Sequence, residues 1–166
     1  MYSQRPIIKP ALSDFDRLLE KISLLALVFL LAYSIISFAY LPDTIPIHFN
    51  THLKVDGYGS KYFIFLLPGL AVILYAGLTL LNKYPHLFNY PVKITDTNAE
   101  GQYTLATKLI RLLKAIIIFL ILYFTIQIVE AARDRNFSLN FWDIPLIILL
   151  IILPTINFII QSRKAA

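Results

Sequence analysis

Four stretches of this chain carry no Asp, Glu, Lys or Arg: Ile22 to Leu41 (20 residues), Tyr62 to Asn82 (21), Ala115 to Val129 (15) and Ile144 to Ser162 (19). At about 1.5 Å of rise per residue, a run of about 20 crosses the roughly 30 Å hydrocarbon core of a bilayer as one helix. The third run reaches that length when Lys114 snorkels and Glu130 meets the far interface, which makes Leu112 to Ala132 the working segment. The predicted spans are therefore about 22–41, 62–82, 112–132 and 144–162. Burying four such segments inside a soluble domain would demand polar cover that the chain lacks. It is 58% apolar and 15% charged, whereas about a quarter of a soluble domain is charged. The predicted fold is all-α, an integral-membrane four-helix bundle forming a single transmembrane domain over residues 1–166. The first span is longer than a signal-peptide core, and Ser37-Phe38-Ala39-Tyr40 lacks a small-x-small cleavage site, so it is expected to stay as an anchor. With no cysteine, disulfides, thiolate metal sites and thiol nucleophiles are excluded.

The formal charge of +5 sorts by side. The N-terminal segment, the middle connection and the C-terminus together hold 11 Lys and Arg, against 4 in the first and third connections (Lys54, Lys61, Arg133 and Arg135). The positive-inside rule then places the chain in the cell (cytoplasmic) membrane, multi-pass, with both termini cytoplasmic. On that topology the cytoplasmic side carries a net +6 and the outer side −1. Tyr40, Tyr62 and Trp142 fall at the outer interface, where amphipathic rings are favoured. The basic residues flank spans and do not interleave with exposed aromatics, so no nucleic-acid partner is expected; the lipid bilayer is the first partner.

Ser13 before Asp14-Phe15-Asp16 marks a helix start, so the first helix is predicted to begin near Asp14 and run into the bilayer. In the first outer loop, Pro42 and Pro46 stop the helix and Asp56-Gly57 predicts a turn. Ile45, Ile47 and Phe49 alternate with Pro46 and His48, as in a short extended stretch over the helix ends. In the cytoplasmic loop, Val92 to Thr95 predicts a short strand and Thr97-Asn98-Ala99-Glu100 a capping box. From there Tyr103, Ala106, Ile110, Leu113 and Ile117 form an apolar stripe, with Lys108, Arg111 and Lys114 offset from it. That pattern predicts an amphipathic helix on the leaflet before the third span, its three basic residues contacting lipid or a cytoplasmic protein partner.

The first outer loop concentrates the polar side chains. His48, His52 and Asp56 recur every four residues, a spacing that on a helix would offer one face to a divalent metal. The flanking prolines and Asp-Gly argue against a helix, and the competing reading has these side chains hydrogen-bonding loop backbone. No nucleophile elbow, His-Glu-x-x-His or Walker sequence is present, and no catalytic residues or required cofactor are identified. Gln127 and Glu130 share a helix face; a carboxylate reaching the headgroups competes there with an intramembrane functional group. Pro68-Gly69, Gly77 and Pro154 would bend helices or allow close packing, and Asn157 could bond across helices.

Two stretches resemble a known family. Leu41-Pro42-Asp43, Ile45-Pro46-Ile47-His48-Phe49-Asn50 and Asp56-Gly57-Tyr58-Gly59-Ser60-Lys61 resemble the signature of the bacterial and archaeal SdpI-like membrane proteins, in their N-terminal domain of unknown function. Phe88-Asn89-Tyr90-Pro91-Val92-Lys93-Ile94-Thr95, with Asn98-Ala99-Glu100 and Gln102-Tyr103, resembles the loop after the second span of short members. This chain has Leu53 where the family pattern usually has Gly. The resemblance implies kinship to toxin-immunity and signalling proteins, but carries over no catalytic residue. The expected function is a non-enzymatic sensing or binding module whose outer loop, through His48, Asn50, Asp56 and Lys61, recognises an extracytoplasmic ligand or peptide. The rival readings are a membrane-embedded metal-dependent enzyme using His48, His52 and Asp56, and a small transporter subunit depending on Glu130.

Overall fold

A computed structural model describes residues 5–134 and 137–166; Arg135, counted above on the outer side, lies outside the described residues. Helix α1 spans Asp14–Phe38, α2 Leu66–Leu81, α3 Ala99–Arg133 and α4 Asp143–Lys164, and a short 3₁₀ helix, Lys61–Phe65, leads into α2. All four helical segments are long and apolar enough to cross a membrane. To this helical frame the first interhelical connection adds one small antiparallel sheet, β1 (Thr44–Phe49) with β2 (Val55–Ser60).

α1 starts where its first residues demand. Ser13 Oγ accepts from the Asp16 backbone N–H while the Asp16 carboxylate accepts from the Ser13 N–H, a reciprocal cap that satisfies two otherwise orphaned donors. Ser23, Ala26, Leu30, Ser34 and Ser37 then form a buried stripe at helical spacing. It faces α3, where Ile118 joins Ala26 and Leu30 in one buried cluster, and small side chains along the stripe let the backbones approach closely. Ser34 and Thr125 hydroxyls donate to carbonyls one turn back, at 2.8 Å each, which disposes of their polarity within the helix. Leu30, Ala71 and Ile118 are fully buried where α1, α2 and α3 converge.

α4 packs chiefly on α3, and none of its apolar window is buried within the chain. Its far end is fastened to α3 by Gln102, whose Nε2 donates to the carbonyls of Ser162 and Ala165 at 2.8 and 3.1 Å. The Ser162 hydroxyl donates back to Gln102 Oε1.

α3 differs from expectation. It is one uninterrupted helix of 35 residues, about 52 Å long at 1.5 Å per residue. The predicted surface helix and third span are therefore collinear, with no turn between them. Nor does the chain before it form a strand at 92–95. The Asn98 side chain instead folds the preceding loop, accepting from the Thr95 N–H and donating to the Lys93 carbonyl. With Asn98 so occupied there is no side-chain cap and no capping box.

The N-terminal segment crosses the same end of the bundle. Arg5 donates to the His86 and Phe88 carbonyls at 3.1 and 2.6 Å and lies over the Tyr90 ring, while the Tyr103 hydroxyl donates to the Pro6 carbonyl. Burial pushes the Tyr90 hydroxyl well above its ordinary value; the neighbouring Tyr103 adds to the shift and Arg5 opposes it.

Candidate functional site

The first connection is a braced hairpin. Ile45 is fully buried with Leu41, Ile64 and Val129, so β1 is pinned to the ends of the helices. At its base the Lys61 N–H donates to the Asp43 carbonyl at 2.9 Å, and Lys61 Nζ pairs with the Asp43 carboxylate at 3.2 Å. At its tip Asn50 Oδ1 accepts from the His52 and Lys54 N–H groups at 2.9 and 3.1 Å. The tight turn thus lies at 50–54, with Leu53 in the left-handed region at φ 61°. Asp56-Gly57, predicted as a turn, belongs to β2, and Gly57 sits opposite His48. A Cβ on Gly57 would come within 2.9 Å of the His48 Cβ, so the close approach itself requires glycine there.

Irregular register on either side of His48 turns its ring outward. There His48 Nδ1 and Asp56 Oδ1 are in direct contact, with side chains 69% and 40% exposed. A pair this exposed adds little to stability, which leaves its polarity available to solutes. The hairpin thereby unites His48 with Asp56, whereas Asn50 and Lys61 serve the turn and the base. Among the described residues no group of three His, Asp or Glu side chains is arranged to hold a metal, so the every-fourth-residue spacing does not become a ligand set in an extended strand.

Beneath the hairpin lies an apolar cavity of about 280 Å³, lined by Ile45, Pro46, Ile47 and Phe49 from β1 and by Phe63 and Phe124 among others. Gln127 is the polar side chain in that lining. Glu130 lies one turn further along, in an exposed pair with Arg133 at 3.1 Å, so its carboxylate stands at the helix end and outside the bundle interior.

At the opposite end, the face bearing both termini, the structure assembles a second polar cluster. Lys114, fully buried, donates to Glu20 Oε2 at 2.6 Å and Thr79 Oγ1 at 2.8 Å, with its ammonium 4.5 Å from the Tyr75 ring. Arg111 reaches Asp16 at 3.4 Å and Glu20 at 3.6 Å. Of the three basic residues expected to touch lipid or a partner, Arg111 and Lys114 therefore point inward; Lys108 remains exposed, over the Phe15 ring. The physical reason is that α1 supplies two carboxylates at the same depth, and an unpaired cation inside the bundle would be costly. Asp16 and Glu20 stand one turn apart on α1, and Arg111 and Lys114 one turn apart on α3. That complementary pairing of spacings near two span starts was the available signal.

Fold and composition define a multi-pass membrane protein. Residues 25–72, from the middle of α1 through the hairpin into α2, match the family model described as a domain of unknown function, DUF1648. An uncharacterized protein of Archaeoglobus fulgidus is 30% identical over 88 residues, covering 48% of this chain and 48% of its own length. The chain thus aligns with about half the length of that relative. No solved structure matches.

Proposed function

We propose that the protein is a non-enzymatic recognition module in which the hairpin binds an extracytoplasmic ligand or peptide. The observation that carries this reading is the exposed His48–Asp56 pair on a hairpin braced at both ends and seated on an apolar cavity. A rigid edge with one polar pair and adjoining apolar room suits an amphipathic ligand, whose polar group meets the pair while its apolar part reaches the cavity. The resemblance of the loop sequence to SdpI-like immunity and signalling proteins supports a sensing role, and the domain of unknown function matched over residues 25–72 includes this hairpin. The localisation that goes with it is the cytoplasmic membrane with both termini inside. A photo-crosslinking side chain placed at His52, at the turn, tests the reading in intact membranes. A specific adduct should form with His48 and Asp56 present and fall at least tenfold in the His48→Ala/Asp56→Ala double variant. Equal capture by wild type and double variant, at equal protein levels, overturns it.

A further inference from the structure

The seam between α3 and α4 holds a groove of about 380 Å³ near the face that bears both termini. Its lining is graded along the membrane normal. Leu112 and Leu153 close the deep end, while Lys108, Asn157 and Gln161 sit toward the termini. Gln102 bonds to Ser162 at one end of the seam and Tyr123 to Asp143 at the other, so the antiparallel helices set Lys108 level with Asn157. Gln161 stands one turn nearer the termini than Asn157, and Leu112 and Leu153 stand one turn deeper. A neighbouring hollow continues the seam outward from Gln161 and adds Lys164, with Glu100 as its acidic residue.

The polar groups of this groove are incompletely used by the protein. Among the described residues Lys108 forms no salt bridge; its ammonium rests 5.1 Å from the Phe15 ring. Gln161 Nε2 donates to Asn157 Oδ1 at 3.0 Å, and among the described residues the Asn157 amide donors have no protein acceptor. Two carboxamides on an exposed helix face at membrane depth call for a polar occupant, because hydrocarbon offers them no hydrogen bonds.

We propose that this groove binds an anionic phospholipid of the leaflet on the terminal side. The phosphate lies between Lys108 and the Asn157 amide, the headgroup beyond it reaches toward Gln161 and Lys164, and an acyl chain runs inward along Leu109, Leu112 and Leu153. Charge and depth select this occupant. A basic residue next to an interhelical groove attracts anionic lipid, and the Asn157 amide stands level with Lys108, able to donate to the same phosphate.

Native mass spectrometry of the full chain in mixed micelles of equimolar dioleoyl phosphatidylglycerol and dioleoyl phosphatidylcholine tests the proposal. Wild-type protein should retain the glycerol lipid at least about fivefold over the choline lipid, the factor expected from one basic residue near the surface. Lys108→Ala should bring that ratio close to one. Asn157→Leu should lower retention of both lipids and leave the ratio unchanged, while Lys83→Ala, in the loop after α2, should change neither. Equal retention of the two lipids by wild type, the same loss of preference in Lys83→Ala as in Lys108→Ala, or a lipid-free dimer as the main species would overturn it.

Discussion

Lys114→Met is the sharpest test of how the bundle is held together at its terminal face. The native ammonium is wholly buried, touches Glu20 and Thr79 at 2.6 and 2.8 Å, and lies over Tyr75. It thereby ties α3 to both α1 and α2. Removing one member of a buried ion pair costs about 3–5 kcal/mol, because the other charge is left without compensation. Here Glu20 keeps Arg111 at 3.6 Å, and its side chain is 30% exposed. The expected cost is therefore at the lower end, about 3 kcal/mol. At roughly 2–4 °C per kcal/mol for a chain of this size, Tm should fall by about 6–12 °C. Thermal unfolding in mild detergent, followed by far-ultraviolet circular dichroism, reads this directly. The companion variant Glu20→Gln/Lys114→Met removes both charges, and apolar or neutral replacement of a whole buried pair is often close to neutral. The double variant should recover at least half of the lost stability, a coupling of over 1 kcal/mol in the double-mutant cycle. A Lys114→Met Tm within about 2 °C of wild type, or strictly additive single effects, would refute the reasoning.

Gly57→Ala should destabilise the hairpin by about 1–3 kcal/mol, since the new methyl group meets the His48 Cβ at 2.9 Å. Hydrogen exchange should show lost protection of the hairpin amides with the helices unchanged. Leu53→Gly acts in the opposite direction. Relief of the left-handed φ of 61° slightly exceeds the entropy that glycine adds to the unfolded chain. A gain below about 1 kcal/mol should appear as up to fivefold slower exchange of the turn amides. Gln102→Ala leaves the Ser162 and Ala165 carbonyls and the Ser162 hydroxyl without their α3 partner. The end of α4 should loosen by about 1–3 kcal/mol, seen as several-fold faster tryptic cleavage at Arg163 and Lys164. Unchanged cleavage would mean that lipid or other contacts hold that end.

The sequence by itself determined the four helical segments, because transfer of apolar side chains into hydrocarbon is summed residue by residue along a local run. It also located the start of α1, since the Ser13–Asp16 cap lies within four consecutive residues. Relations between distant segments were another matter. The turn of the hairpin lies at Leu53 and not at Asp56-Gly57, because β1 has to bury Ile45 against Ile64 and Val129, and that register carries Asp56 into the strand beside His48. Arg111 and Lys114, offset from an apolar stripe, have the pattern of a surface-facing pair. Only the packing of α1 against α3 brings Asp16 and Glu20 to them, from 95 and 94 residues away. Hydrophobicity is a property of each residue and can be read in order; the pairing of charges and the register of strands depend on which segments meet, and only the tertiary structure decides that.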